Sequence, residues 1–149
     1  MKAIQLKSPA KLNLYLDCLY KRPDGFHQIQ TIFERINLFD DIVLERTPQK
    51  GIRIFCQHPD VPCNADNLCY KAARILQREY HIPYGVDIHI QKQIPVASGL
   101  AGGSGNAAAV LLGLNKLWGL DLGKYALIDH AKTIGSDVAF FLYDVSFAF

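Results

Sequence analysis

The sequence predicts an α+β fold, with helices packed on one side of a mostly antiparallel sheet. The first third of the chain alternates apolar and polar residues between turn signals, as antiparallel strands do. The remainder carries apolar stripes at helical spacing, which we assign to helices at about residues 67–79, 104–118 and 124–133. A chain of 149 residues is long enough to bury one core, so we expect a single domain.

The first strand is predicted at residues 12–16, where apolar and polar residues alternate with period two. Lys11 lies at its start, and Asn13 falls on the same face of the strand. A lysine in this position is most simply a solvated residue at the edge of a sheet. Pro23, Asp24 and Gly25 then form a turn, because each of these residues favours turn geometry.

A second long strand is predicted at residues 26–38, followed by a turn at residues 39–41 and short strands at 42–45 and 52–56. We expect these elements to form an antiparallel run joined by short turns. Phe26 and His27 lie where the turn meets the second strand. An aromatic ring beside a histidine can stack on a base and bond its edge, although packing within the strand is the commoner role.

Residues 58–65 form a polar loop containing two prolines, after which Asn64 or Asp66 can cap the first helix. A strand is predicted at residues 86–90. Near the end of the chain, Gly135, Ser136 and Asp137 form a turn that leads into residues 138–143, an apolar run that predicts a buried strand.

A loop with four glycines at positions 99 to 105 connects the strand at 86–90 to the helix at 104–118. The start of a helix offers unpaired N–H groups at the positive end of the helix dipole, and a flexible loop there suits a polyphosphate. The loop lacks the lysine of a P-loop and the spacing of a dinucleotide fingerprint. A small-residue turn that lets a helix pack tightly on a sheet is the alternative.

Composition and charge exclude several classes of protein. The net charge is +2, with lysine and arginine scattered, which gives no support to a nucleic-acid partner. No apolar run reaches the ~18 residues of a membrane helix, and the N-terminus lacks the apolar segment of a signal peptide. We therefore expect no membrane association and a cytoplasmic location, or the plastid stroma after removal of a transit peptide. The four cysteines and five histidines show no metal-ligand spacing, so no metal site is predicted among them.

Five segments together resemble the GHMP kinase superfamily, in particular its branch that phosphorylates a cytidine-diphosphate-linked sugar alcohol in non-mevalonate isoprenoid biosynthesis. The segments are residues 8–14, 22–27, 66–68, 94–108 and 135–138. The resemblance implies the N-terminal ATP-binding domain of that family, with the ribosomal protein S5 domain 2-like fold, over residues 1–149. The family's C-terminal domain has no counterpart in this sequence. Because residues 145–149 are apolar, we expect either an oligomer that covers them or a longer protein; the oligomeric state stays open.

The resemblance also implies the chemistry. Family members transfer the γ-phosphate of ATP to a hydroxyl of a small molecule, with Mg²⁺ as cofactor. Lys11 and Asp137 match the catalytic lysine and aspartate, and we expect direct or one-water contact between their charged groups. Positions around ATP are matched by Asn67, Lys92, Gly99, Leu100, Ala101, Gly102, Gly103, Ser104 and Asn106. Asn13 matches a residue that orients the sugar alcohol, and Phe26 and His27 match the pair that binds the cytosine.

The sequence departs from the family pattern at four positions. Ser98 and Ala101 stand where a small residue or glycine is usual, Gly105 replaces a common serine, and Ala139 replaces a usual proline. Two further hypotheses remain: a truncated, non-catalytic nucleotide-binding domain, and another GHMP kinase that acts on homoserine or mevalonate. Phosphate transfer distinguishes the first of these from the kinase, and a cytosine clamp has no use in the second.

Overall fold

The computed structural model of this chain describes residues 2–23, 25, 27–143 and 145–148. Five strands, three α-helices and one 3₁₀ helix are present in these ranges. In chain order they are β1 (Ala3–Lys21), β2 (His27–Thr47), β3 (Ile52–Cys56), α1 (Leu68–Glu79), β4 (Gly85–Gln91), α2 (Gly102–Leu117), α3 (Lys124–Ile134), the 3₁₀ helix (Ala139–Leu142) and β5 (Phe147–Ala148). No helix among the described residues is long and apolar enough to cross a membrane.

The sheet has the strand order β1-β2-β4-β3, and β5 pairs with β2. The pairs β1–β2, β2–β4 and β2–β5 are antiparallel, which confirms the predicted, mostly antiparallel sheet. The expectation that residues 52–56 continue an antiparallel run is wrong, because β3 pairs in parallel with β4. A parallel pair requires a crossover connection, and here α1 lies in the connection from β3 to β4.

One face of the sheet carries the core. In β2, Ile42 and Leu44 are fully buried, whereas the alternating residues Val43 and Glu45 are partly exposed. Ile88 of β4 lies on the buried face with them, and the apolar residues of all three helices join the same cluster. The helices therefore pack on one side of the sheet, as period-two burial in the strands predicts.

Helix α2 lies very close to the sheet at two glycines eight residues apart. A β-carbon added at Gly105 would lie 2.8 Å from the Pro9 carbonyl oxygen and 2.8 Å from Ser8 Oγ. At Gly113 the nearest atoms would be the side-chain methyl groups of Leu44 and Leu6. The glycine loop's alternative role, tight packing of a helix on the sheet, is therefore observed at Gly105. Gly113, further along α2, allows the same close approach. Gly105 is needed here for the close approach of α2 to β1.

Gly105→Ala is expected to lower the free energy of unfolding by about 1–3 kcal/mol, the usual effect of overpacking. This loss outweighs the gain of up to ~1 kcal/mol that alanine brings to a helix interior. Gly103→Ala is the matched control, because a β-carbon there meets only Leu68, at 4.0 Å. Urea denaturation of both variants tests this. Equal stability of the two would show that Pro9 and Ser8 do not restrict position 105.

Two predictions in the first half of the chain are wrong. Strand β1 runs from Ala3 to Lys21, so Lys11 lies inside a strand rather than at its start, and it is buried instead of solvated. The turn predicted at residues 39–41 does not form, because β2 continues to Thr47 and Asp40 is fully buried within it. Instead of a turn, the β1–β2 pairing has a shift in register between Pro9, which pairs with Phe39, and Ala10, which pairs with Ile36.

The second half differs from prediction in smaller ways. Residues 139–142 form a 3₁₀ helix instead of a strand, although Phe140, Phe141 and Leu142 are buried as expected. Short apolar runs do not separate buried strands from buried helical turns. The helix bounds are within two residues of those predicted, and Asn67, rather than Asn64 or Asp66, caps α1.

Candidate active site

Helix α2 begins at Gly102, directly after the glycine loop, which confirms the predicted order of strand, loop and helix. Its N-cap is Ala101, and no side chain of the described residues caps this end. Helix α1, by contrast, is capped by Asn67, whose Oδ1 accepts from the Cys69 N–H at 2.8 Å. The start of α2 therefore keeps N–H groups that a ligand can use.

Two alanines in the loop adopt left-handed backbone conformations, Ala97 with φ 55° and Ala101 with φ 54°. This region costs an L-residue roughly 1–2 kcal/mol. Contacts with the sheet hold the loop in place, since the Lys11 N–H donates to the Leu100 carbonyl at 3.1 Å. The strand that carries Lys11 is thus bonded directly to the loop that precedes α2.

A cavity of about 500 Å³ opens at this helix start, within the size range of small-molecule sites. Most of the site residues predicted from the sequence line it. They are Lys11, Asn67, Lys92, Gly99, Ala101, Gly102, Gly103, Ser104, Asn106 and Asp137. The cavity therefore brings together side chains from β1, α1, the glycine loop, α2 and the turn before the 3₁₀ helix.

Lys11 and Asp137 meet in this cavity. Lys11 Nζ lies 3.6 Å from Asp137 Oδ2, which confirms the predicted direct contact of their charged groups. The Lys11 side chain is 6% exposed and the Asp137 side chain 29%, so the carboxylate is the more accessible partner. The Lys11 ammonium also donates to Asn13 Oδ1 and lies 4.9 Å from the centroid of the Phe33 ring. These contacts hold the ammonium at the cavity wall.

Asn67 and Lys92, both predicted to lie around ATP, are engaged within the protein. Asn67 caps α1 and donates from Nδ2 to the Pro62 carbonyl at 2.7 Å, so it joins the 58–65 loop to the helix. Lys92 Nζ lies 2.5 Å from Oδ2 of Asp40. Asn106 differs, because its Oδ1 is buried and has no hydrogen-bond partner among the described residues.

Asn13 and His27, the two described residues among those assigned to substrate, are not part of the cavity lining. Asn13 is next to it through Lys11, and its Nδ2 donates to Thr31 Oγ1 at 2.9 Å. His27 begins β2 and is exposed. Phe26 lies outside the described residues. Leu100 contributes its carbonyl group to β1 rather than a side chain to the cavity.

One wall of the cavity was not predicted from the sequence. The 58–65 loop and the start of α1 supply Asp60, Val61, Pro62, Asp66, Leu68 and Cys69. The proline-bearing loop was visible in the sequence, but nothing in its composition placed it opposite the glycine loop. Burial raises the pKa of the Cys69 thiol to about 12, so this sulfur is protonated at neutral pH and is not a nucleophile.

The fold and this site define the class of protein. Residues 67–144, just over half of the chain, match the family described as GHMP kinases N terminal domain, and the chain belongs to that family. Over 140 residues it is 51% identical to 4-diphosphocytidyl-2-C-methyl-D-erythritol kinase of Synechococcus sp. (strain JA-3-3Ab), covering 94% of this chain and 45% of the relative. The chain thus spans about half the length of the curated relatives it matches.

Solved structures agree with this assignment. A crystal structure of 4-(cytidine 5'-diphospho)-2C-methyl-D-erythritol kinase superposes with a TM-score of 0.78 at 37% identity, covering 93% of this chain and 48% of that one. Homoserine kinase from Cytophaga hutchinsonii gives a TM-score of 0.70 at 19% identity, covering 92% of this chain and 42% of that one. At that identity the second likeness shows the shared fold alone.

Proposed function

We propose that this chain forms the ATP-binding portion of a kinase that phosphorylates a hydroxyl of 4-diphosphocytidyl-2-C-methyl-D-erythritol in non-mevalonate isoprenoid biosynthesis. The observation that carries the proposal is the meeting of Lys11 and Asp137. They are 126 positions apart in the sequence, yet their charged groups lie 3.6 Å apart in the cavity at the start of α2. A carboxylate beside a buried ammonium and a phosphate-binding helix start is an arrangement suited to phosphoryl transfer.

In this proposal Asp137 accepts the proton of the acceptor hydroxyl while the new O–P bond forms and the bond from the γ-phosphorus to ADP breaks. The Lys11 ammonium pairs with this carboxylate and offsets negative charge on the phosphoryl group in the transition state. Asn13 holds the ammonium through Oδ1 and lies where it can orient the acceptor. The chain thus contributes positioning and electrostatic stabilisation, the main terms in phosphoryl transfer.

The triphosphate is proposed to lie along the loop from Gly99 to Asn106. The N–H groups at the start of α2 face a cavity that Gly102, Gly103 and Ser104 line without bulky side chains. Glycine at these positions lets phosphate oxygens approach the backbone. The apolar residues Val61, Pro62 and Leu68 on the other wall offer a surface for the base.

Magnesium fits the charge and the donor atoms of this cavity. Two lysines and three aspartates line it, leaving one net negative charge before a triphosphate adds several more. Proteins bind Mg²⁺ through one or two carboxylates together with phosphate oxygens of the substrate. Apart from Asp137, the proposed proton acceptor, the carboxylates of Asp60 and Asp66 line the cavity and are the atoms here that suit it. Bound Mg²⁺ would neutralise phosphate charge.

Phe26 and His27 are proposed to bind the cytosine, and His27 is exposed at the start of β2, where a ligand can reach it. This clamp favours the cytidine-linked acceptor over the homoserine and mevalonate of other GHMP kinases. The corresponding location is a compartment that supplies ATP, the cytoplasm or the plastid stroma.

The proposal is tested by incubating the full-length protein that contains this chain with [γ-³²P]ATP, Mg²⁺ and one acceptor at a time. We expect label in 4-diphosphocytidyl-2-C-methyl-D-erythritol and none above background in homoserine or mevalonate. Residues 1–149 alone should bind ATP and transfer phosphate weakly or not at all, because half a pocket does not position the acceptor. Preferential labelling of homoserine or mevalonate would overturn the assignment of substrate.

A further inference from the structure

Asp40 is a fully buried carboxylate whose two oxygens are both occupied. Oδ1 accepts from the backbone N–H groups of Gln93 at 2.7 Å and Ile94 at 2.9 Å. Oδ2 accepts from Lys92 Nζ at 2.5 Å. A single side chain on β2 therefore binds three consecutive residues of the segment that leaves β4 for the glycine loop.

The segment that Asp40 holds is packed against the start of α2. A β-carbon at Gly102 would lie 2.9 Å from Ile94 Cγ2 and 3.0 Å from Lys92 Nζ. The positions of Ile94 and Lys92 thus set the place where α2 begins relative to the sheet. Through these two residues, the contacts of Asp40 extend to the start of the helix, where the phosphate-binding N–H groups lie.

Lys92 has a buried side chain and is paired with Asp40. Its side chain is 6% exposed, and a buried ammonium without a partner carries a large desolvation cost. With Asp40 as its partner, the ammonium lies at the cavity wall and has further N–H donors to offer. Asp40 itself is not among the described residues that line the cavity. Asp40 therefore does not contact a ligand of the cavity directly.

We propose that Asp40 is a positioning residue for nucleotide binding, which holds the Lys92 ammonium and the start of the glycine loop in their ligand-binding arrangement. This inference rests on the proposed function, since it takes ATP as the ligand of the cavity. It adds Asp40, which belongs neither to the glycine loop nor to the Lys11–Asp137 pair, to the residues that determine ATP binding. In this proposal Lys92 donates hydrogen bonds to the phosphates while its charge is balanced by Asp40. It does not act as an unpaired positive charge beside the phosphates.

The test is a double-mutant cycle read by calorimetric titration of the 149-residue chain with ATP and Mg²⁺. The variants are Asp40→Asn, Lys92→Met and the double substitution. Asparagine keeps the Oδ1 acceptor for Gln93 and Ile94 but loses the charge that holds Lys92. Each single substitution is expected to weaken ATP binding at least ~10-fold. The double variant should bind within about twofold of Lys92→Met, because Asp40 acts through Lys92.

A purely structural role for Asp40 gives a different result, namely the same loss of affinity with and without Lys92, and that result overturns the inference. If Asp40→Asn does not fold, the double variant decides. It carries no unpaired buried charge and should fold, and ATP binding at least tenfold weaker than that of Lys92→Met counts against the proposal.

The matched control is Asp87→Asn. Asp87 also lies on a central strand and forms a bidentate pair, with Arg53 at 2.7 and 2.5 Å, but on the outer face of the sheet. It should leave ATP affinity unchanged. If the wild-type chain does not bind ATP, the proposed function fails and this inference fails with it. If wild type binds and Asp40→Asn binds equally, the inference fails alone.

Discussion

Asp137→Asn and Lys11→Ala should each lower the rate constant of phosphoryl transfer at least ~10²-fold in the full-length protein, with ATP affinity changed only a few-fold. Asparagine keeps the size of the Asp137 side chain but does not accept the hydroxyl proton. Alanine at position 11 removes the ammonium 3.6 Å from that carboxylate. Both groups act mainly as charge develops in the transition state, so the loss is expected in kcat rather than in binding.

Steady-state kinetics at saturating acceptor, with ATP varied, measure this effect, and calorimetric titration gives ATP affinity separately. Asp129→Asn is a suitable control, because this aspartate of α3 is exposed and pairs only with the nearby Lys132 among the described residues. It should behave as wild type. A kcat within threefold of wild type for Asp137→Asn would remove this carboxylate from the chemistry and leave only the nucleotide-binding role of the cavity.

Gly103→Val should reduce ATP affinity at least ~100-fold, or about 2.7 kcal/mol, while the fold survives. Position 103 lines the cavity and has open space around it, since a β-carbon there meets only Leu68 at 4.0 Å. A branched side chain therefore fits the protein and instead occupies the space that the phosphates need.

Gly102→Val is the less informative variant. Its β-carbon would lie within 3.0 Å of Ile94 and Lys92, so loss of ATP binding and loss of stability coincide. Gly123→Val is a better control, because Gly123 is the N-cap of α3, has open space around it and is not part of the cavity lining. Unchanged ATP affinity for Gly103→Val would mean that the phosphates bind elsewhere.

The sequence predicted the parts of the site that are local or carry a motif. The composition of the glycine loop and of the residues after it predicts the helix. The motifs around Lys11 and Asp137 predict that these two residues, far apart in the chain, act together. Asp40 could not be predicted in the same way. Adjacent aspartates are typical of turns, and the partners that make burial of Asp40 favourable lie more than fifty residues later.

The structure also separates glycines that look equivalent in the sequence. At Gly105 an added β-carbon would be too close to the backbone of β1, and at Gly102 it would be too close to Lys92 and Ile94. At Gly103 it would meet neither of these groups. Spacing along the chain carries no information about which atoms approach each position, so this distinction depends on tertiary packing. The 3₁₀ helix at residues 139–142 is a similar case, because burial alone did not decide its backbone conformation.

The strand order has a consequence for synthesis of the protein. Strand β4 lies between β2 and β3, although it is made after both. As the chain leaves the ribosome, the edge of β2 that pairs with β4, residues 41–47, has no partner until residues 85–91 have emerged. Strand β3 likewise has no partner until β4 is made. At ~5–20 residues per second this interval lasts a few seconds. During that time the nascent chain presents an open strand edge bearing Ile42 and Leu44, the condition under which chaperone binding competes with edge-to-edge aggregation.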